Sequence, residues 1–274
     1  MDKTTLGDRM KNNYENITRY YLTRRMPVII RVDMKAGHTF TKGMKKPFDD
    51  VFVRTMQETM KYLCENIQGC VLGYTQSDEI SLVLTDYAEL TTDAWFGNNL
   101  QKMCSVSASM ATMAFNNHFT WNWEEENRWA YRPNGTQEEK EYATTLYRKL
   151  GKAMFDSRVF TIPKEEVCNC ILWRQQDAIR NSIQSVGQAN FSHKELDHKS
   201  TKDIQDMLMI QKGINWNDYS TTLKRGSCCI KIEDGSTEYD DVGNICGYVS
   251  RSKWVIDNEI PIFSQDRNYV EKLI

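Results

Sequence analysis

No run of apolar residues in this chain approaches the roughly 20 needed to cross a bilayer, and its opening residues are polar and charged rather than signal-like, so a cytoplasmic protein without membrane attachment is expected. Proline and glycine are sparse, 5 and 14 among 274 residues, and nowhere gather with serine into a linker. The length exceeds that of an average domain, yet one core with appended helices is the simplest expectation. The 8 cysteines are scattered. Their closest pairs, Cys168 with Cys170 and Cys228 with Cys229, lack zinc or redox spacing, which leaves reduced and mostly buried thiols. His38, His118, His193 and His198 show no ligand spacing either. A formal net charge of −2 excludes a surface coated in phosphate-binding charge. Distribution matters more than the sum: before Asp49 the basic side chains Lys3, Arg9, Lys11, Arg19, Arg24, Arg25, Arg31, Lys35, Lys42, Lys45 and Lys46 outnumber the acids. Such a cluster is more often solvated surface than a nucleic-acid footprint.

What is present has a clear order. Residues 27–33 (PVIIRVD) form a β-branched run ending in charge, the mark of a buried strand. Phe52, Met56, Met60, Leu63 and Ile67 then recur at helical spacing behind Asp49 and Asp50, which suit a helix start. Residues 70–74 and 80–84 are apolar runs around a polar centre, as in a hairpin. A helix is expected over about 93–117, with Phe96, Leu100, Met103, Val106, Met110 and Met113 as its stripe and small residues allowing close packing on a sheet. Residues 124–141, with Pro133 and Gly135, read as a loop or insertion before the strand 155–162. Strand, helix, strand, strand, helix, strand is the ferredoxin-like βαββαβ pattern of an α+β fold: an antiparallel sheet with two helices on one face. A third helix after Pro163 would turn Val167, Ile171, Ala178 and Ile183 inward, and strands are expected at 220–232 and 245–256. The division expected is a core over 1–162 and a helical and hairpin extension over 163–274.

In such a sheet the first strand lies beside the strand leaving the hairpin, so Asp33 would approach Asp78 and Glu79. Carboxylates gathered there suit Mg²⁺, which takes one or two protein carboxylates and completes its shell with water and substrate phosphate. Two such ions about 4 Å apart clamp an in-line phosphoryl displacement. Acidic residues are also ordinary in a hairpin turn, and taken alone that reading is the commoner. Alternation puts Arg31 on the face of Asp33, as an ion pair or a triphosphate contact. Arg174, Asp177 and Asn181 make a polar helical stripe that solvent exposure explains equally well.

Taken together, LGDRMKNNYE, RRMPVIIRVD, HTFTKGMKKPFDD, YTQSDEISLVL, WFGNNLQKMCSVSAS, FDSRVF, LWRQQDAIRNSI, FSHKEL and KGINWNDY, in this order and nearly end to end, resemble the tRNA-histidine guanylyltransferase superfamily. The likeness is stronger to its guanylyltransferase-like branch of 3′-to-5′ polymerases. The resemblance implies a polymerase-palm core, tetrameric assembly, tRNA and nucleoside triphosphates (ATP, GTP) as substrates, and two Mg²⁺ ions. It places Asp33, Asp78 and the Met34 carbonyl at the metals, with Glu79 supporting the catalytic site. Around the triphosphate it places Arg31, His38, Lys46, Ser77 and Lys102, with Arg158 and Asn181 as further phosphate contacts.

Two residues depart from the family pattern. Met34 stands where a glycine usually follows the first catalytic aspartate, and Gly37 where an aromatic residue precedes the histidine. A positive backbone angle at Met34 would be strained. The strict histidine-tRNA enzymes carry a HINN-like segment where this chain has Ile179, Arg180, Asn181 and Ser182. The missing histidine favours template-directed repair of truncated tRNA 5′ ends over dedicated addition of one guanylate to the histidine tRNA. A binding protein with a degenerate site is the non-enzymatic alternative.

Overall fold

The computed structural model describes residues 5–239 and 245–274, so Lys3 lies outside the described residues. A short helix α1 (Leu6–Met10) leads into β1 (Val28–Met34), α2 (Gly37–Thr41), α3 (Asp50–Asn66), β2 (Cys70–Gln76), β3 (Glu79–Leu84), α4 (Leu100–Ala130), α5 (Gln137–Tyr147) and β4 (Phe155–Thr161). Next come α6 (Lys164–Asn190), α7 (His193–Leu196), α8 (Thr201–Met207), α9 (Thr221–Arg225), β5 (Ser227–Tyr239), β6 (Ile245–Asp257) and α10 (Asn268–Glu271). The six strands form one sheet in the order β4-β1-β3-β2-β5-β6, with every neighbouring pair antiparallel. Its first four strands are the expected ferredoxin-like arrangement, and β5 and β6 extend it beyond β2.

Strand alternation divides the interior. Val28, Ile30, Val32 and Met34 of β1 pack with α3 and α4, whereas Ile29 faces α6 and joins Val167, Cys168 and Ile171. Each fully buried side chain of this kind contributes about 1.5–3 kcal/mol of transfer free energy. Asp49 starts α3 by accepting the Phe52 N–H at 3.0 Å. The helix closes tightly on β2 because Gly73 has no side chain: a Cβ there would lie 2.5 Å from the Cys64 sulfur. Cys64, Cys70, Cys104, Cys168, Cys170, Cys228 and Cys229 are free thiols, as their spacing implied.

Three expectations need correction. The helix after the hairpin begins at Leu100, not near 93, because Phe96, Gly97 and Asn98 all take left-handed backbone before Asn99 caps α4. Its buried face is Met103, Ser107, Ala111, Ala114, Phe115 and Phe119, while Phe96 and Met113 are exposed. Large and small side chains share the contact: Met103, Phe115 and Phe119 sit in the core, and Ser107 donates to the Ser157 hydroxyl of β4 at 2.7 Å. The stretch 124–141 is mostly helix. α4 runs to Ala130, and α5 begins behind a capping box of Thr136 and Glu139, so only the connection carrying Pro133 and Gly135 is loop. Residues 221–225 are helical, and the strand expected from 220 starts at Ser227. Among the described residues no helix is long and apolar enough to cross a membrane.

Candidate active site

β1 ends beside the turn of the β2–β3 hairpin. Asp33 sits directly across from Glu79, and the Met34 N–H donates to the Asp78 carbonyl at 3.0 Å. The two-residue turn holds Ser77 in left-handed backbone, φ 52°. Asp33, Asp78 and Glu79 thus converge from positions distant in sequence. Burial, followed by the charges of Asp78 and Asp156, holds the Asp33 carboxyl above the usual aspartate range, against the pull of Arg158 and Arg31. Met34 needs no left-handed backbone. That conformation falls at Ala36, φ 56°, and the Met34 side chain is buried in the core. Gly37 fills a different need from the aromatic residue expected there: the Asp78 carboxylate lies against its α-carbon, and a Cβ would meet Oδ2 at 1.9 Å.

β4 contributes a group that the sequence pattern alone did not single out. Asp156 lies directly across from Asp33, and Arg158 across from Arg31. Asp156, Asp33 and Glu79 therefore form a row over three adjacent strands, with Arg158 and Arg31 forming a second row behind it. The Arg158 guanidinium stands 3.9 Å from Asp33 and 3.8 Å from Asp156. Strand alternation in FDSRVF, which repeats the Arg31 and Asp33 spacing in mirror order, was the available signal.

From the same sheet face as Asp33, Glu79 reaches α6. Arg174 of α6 grips it with two parallel bonds, Nε to Oε1 at 2.6 Å and Nη2 to Oε2 at 2.9 Å, and donates a third from Nη1 to Asp177 at 2.9 Å. Burial raises the Glu79 carboxyl above the ordinary glutamate range and Arg174 opposes that rise. Arg31 reaches Glu79 at 3.9 Å and its Nε makes no hydrogen bond. The stripe of Arg174 and Asp177 is thus a partly buried ion-pair network, and solvent exposure does not account for it. Only Asn181, further along α6, is exposed.

Beside the turn opens a cleft of about 600 Å³ lined by His38, Lys46, Ser77 and Asn181 among others, so four of the expected triphosphate contacts share one cavity. The chain from 42 to 49 forms its wall. Lys149, beyond the end of α5, donates to the carbonyls of Phe40 and of Lys42, the latter at 2.8 Å, and the Tyr142 hydroxyl donates to Asp49 at 2.7 Å. The α4–α5 segment therefore buttresses the loop carrying Lys46. Lys102 is elsewhere. The start of α4 is pinned to the chain ahead of β1, with the Leu22 N–H on Asn98 and the Leu100 N–H on the Tyr20 carbonyl, each at 2.9 Å. This is the end of β1 opposite Asp33. Part of the basic excess before Asp49 is internally paired: Arg24 meets Asp86 at 2.6 Å, and Arg19 bonds Glu15.

Among the described residues no three His, Cys, Asp or Glu side chains gather closely enough to cage a metal by themselves. Two hard carboxylates beside a cationic cleft fit instead an ion that arrives with substrate phosphate, which is the habit of Mg²⁺.

An antiparallel βαββαβ sheet with carboxylates at the end of β1 and at the β2–β3 turn, next to a lysine-bearing cleft of nucleotide size, defines a nucleotidyl-transferring enzyme with a palm-like core. The chain belongs to the tRNAHis guanylyltransferase family, whose model matches residues 7–163. It is 46% identical, with a TM-score of 0.77 over 98% of this chain and 99% of the other, to a bacterial tRNA(His) guanylyltransferase (Thg1)-like protein solved in complex with ATP. A similar bacterial protein solved with GTP is 42% identical, with a TM-score of 0.73 over 98% and 99% of the two chains. The tRNA(His) guanylyltransferase of Debaryomyces hansenii is 25% identical over 78% of this chain and 77% of its own length.

Proposed function

We propose that this enzyme adds nucleotides to the 5′ end of truncated tRNA in the 3′-to-5′ direction, directed by the opposing acceptor strand. The observation that carries this reading is the cleft lined by His38, Lys46, Ser77 and Asn181, which includes the turn residue before Asp78, while the strand pairing sets Asp33 across from Glu79 at the same turn. ATP and GTP, the ligands of the two similar bacterial proteins, are the nucleotides proposed here. His38, Lys46, Ser77 and Asn181 hold the triphosphate, and Asp33, Asp78 and the Met34 carbonyl are the ligands proposed for two Mg²⁺ ions. Magnesium bound with the nucleotide supplies positive charge to the displacement. A 5′-monophosphorylated end attacks the α-phosphate of ATP with loss of pyrophosphate. The 3′-hydroxyl of the incoming nucleotide then displaces AMP, and a 5′-triphosphorylated end needs no activation. Alignment of hydroxyl and phosphorus by the cleft supplies much of the remaining rate.

Repair is favoured over addition of a single guanylate to the histidine tRNA by position 179. Ile179 packs against the small core of Ile183, Val186 and Phe191, so it offers no polar atom to an RNA base. We propose residues 1–162 as the catalytic core and 163–274 as an extension packed on it, working in the cytoplasm as a homotetramer. Leu6, Met10, Tyr14 and Ile17 support self-association: they recur at spacings of 4, 4 and 3 and are 45–67% exposed. Lys102, remote from the cleft of its own chain, then serves a neighbouring copy. A sedimentation mass of four chains is expected, and a monomer at micromolar concentration would remove both statements.

The testing experiment incubates 5′-truncated, 5′-triphosphorylated tRNA with labelled nucleotides and Mg²⁺. Label joined to the 5′ end and changing with the base opposite is expected, absent in Asp33→Ala and Asp78→Ala and after chelation. Addition of guanylate alone, whatever the opposing base, would assign the histidine-tRNA reaction. Tight RNA binding without incorporation would assign a binding protein.

A further inference from the structure

Building on the reading of Asp33 and Asp78 as the reacting centre, we propose that Arg174 is a positioning residue: it clamps Glu79, and Glu79 anchors the Asp78 turn instead of ligating metal.

The geometry separates two carboxylates that are adjacent in sequence. Asp78 lies against Gly37 at the open end of β1. The Glu79 carboxylate reaches α6 and is 16% exposed, with each oxygen already bound by one arm of the Arg174 guanidinium at 2.6 and 2.9 Å. A fork of this kind fixes both partners in a plane, and charge-assisted bonds are about twice as strong as neutral ones. Metal ligation by Glu79 would compete with that fork for the carboxylate and weaken the pairing of a guanidinium that is 11% exposed, leaving Asp177 as its remaining close partner.

The clamp has a firm base. α6 is 27 residues long and buries Val167, Cys168, Ile171, Gln175 and Ala178, so Arg174 leaves a helix held on both sides of it. Its third bond, to Asp177 one turn on, stops the guanidinium from rotating, and Asp177 is also held by Arg180. The Trp173 ring lies beside both cations, 4.5 Å from Arg174 and 5.6 Å from Arg31. At the other end the Glu79 carbonyl accepts the Thr75 hydroxyl at 2.9 Å, closing the hairpin. The turn between holds Ser77 in left-handed backbone, φ 52°, which L-residues adopt at a cost. Such a turn keeps its shape only when its surroundings over-determine it. The Met34 contact and the Arg174 clamp restrain it from outside the hairpin, beside the pairing of Glu79 with Asp33 on β1 and of Thr75 with Ser227 on β5. Releasing the clamp lets Asp78 drift, and a displacement of about 1 Å costs on the order of 10²-fold in rate.

Glu79→Gln, Arg174→Gln, Arg174→Lys and the double variant Glu79→Gln/Arg174→Gln are compared with Asp78→Asn. Addition to triphosphorylated RNA and binding of Mn²⁺ with a non-hydrolysable ATP analogue, read by electron paramagnetic resonance, are both measured. Each single clamp variant is expected to lose about 10²-fold in kcat with KM for nucleotide within about threefold, the signature of misplacement. The double variant is expected to be no worse than the poorer single one, because both remove the same contact. Arg174→Lys keeps the charge and the fold but not the fork, and is expected to recover little of kcat while melting within a few degrees of the parent. Mn²⁺–nucleotide binding is expected to survive Glu79→Gln and to fail in Asp78→Asn. Losses that multiply in the double variant, a full rescue by lysine, or loss of Mn²⁺ in Glu79→Gln as severe as in Asp78→Asn would each overturn the clamp. Failure of the tRNA reaction in the parent would overturn the proposed function instead, and the Mn²⁺ comparison would still decide the role of Glu79.

Discussion

Asparagine in place of Asp78 is expected to reduce nucleotide addition by ~10³-fold or more, the order lost when a charge-stabilising group is taken from a displacement centre. The same change should leave folding intact or improve it. Asp33 and Asp78 are held near one another, with Arg158 3.9 Å from Asp33, and Asp33 is still kept above its usual range first by burial and next by Asp78. A carboxyl whose folded value is raised binds its proton more tightly in the folded state, so its contribution to stability declines as pH rises through that raised value. Removing the Asp78 charge removes part of that decline. Thermal melting without divalent metal should therefore show Asp78→Asn at or above the parent near neutral pH, with the gap closing in acid. A variant that is both inactive and markedly less stable would mean that Asp78 holds the fold together, and its loss of activity would then say nothing about chemistry.

Residues whose contacts follow the local periods of strand and helix are legible in the amino-acid sequence alone. Val28 to Met34 alternate between the two faces, α3 and α6 bury the side chains their spacing predicts, and the hairpin brings Asp78 and Glu79 to Asp33 as the topology requires. The failures have physical causes. α4 starts late because three successive residues take left-handed backbone, which no hydropathy pattern encodes. α5 escapes a reading by periodicity because it buries only Ala143 and Leu146 and is otherwise polar, leaving almost no stripe. The Arg174 clamp joins side chains 95 positions apart, and a polar stripe on a helix looks the same whether it meets water or a buried glutamate. Asp156 was within reach of strand alternation, since FDSRVF carries an acid and an arginine two apart as β1 does.

Alanine at position 37 is expected to cut nucleotide addition by about 10²-fold while leaving the protein as stable as before. The three nearest atoms to the added methyl group all belong to the Asp78 side chain, at 1.9, 2.8 and 3.0 Å. Swinging the carboxylate aside relieves the two closest contacts, and the Asp78 Cβ at 3.0 Å is eased by a few tenths of an ångström in the turn; a shift of about 1 Å at a reacting centre is enough for such a loss. Gly37 is the first residue of α2 and is absent from the glycines with positive φ, so alanine fits its backbone. Alanine is also the better helix former, by a fraction of the ~1 kcal/mol that separates the two in helix interiors, which opposes any penalty from the clash. Rate and melting temperature measured on the same preparation therefore separate the two effects. Full activity in Gly37→Ala would show that Asp78 does its work from a rotamer other than the one packed on Gly37. A collapse in melting temperature would show that the contact belongs to the fold rather than to the site.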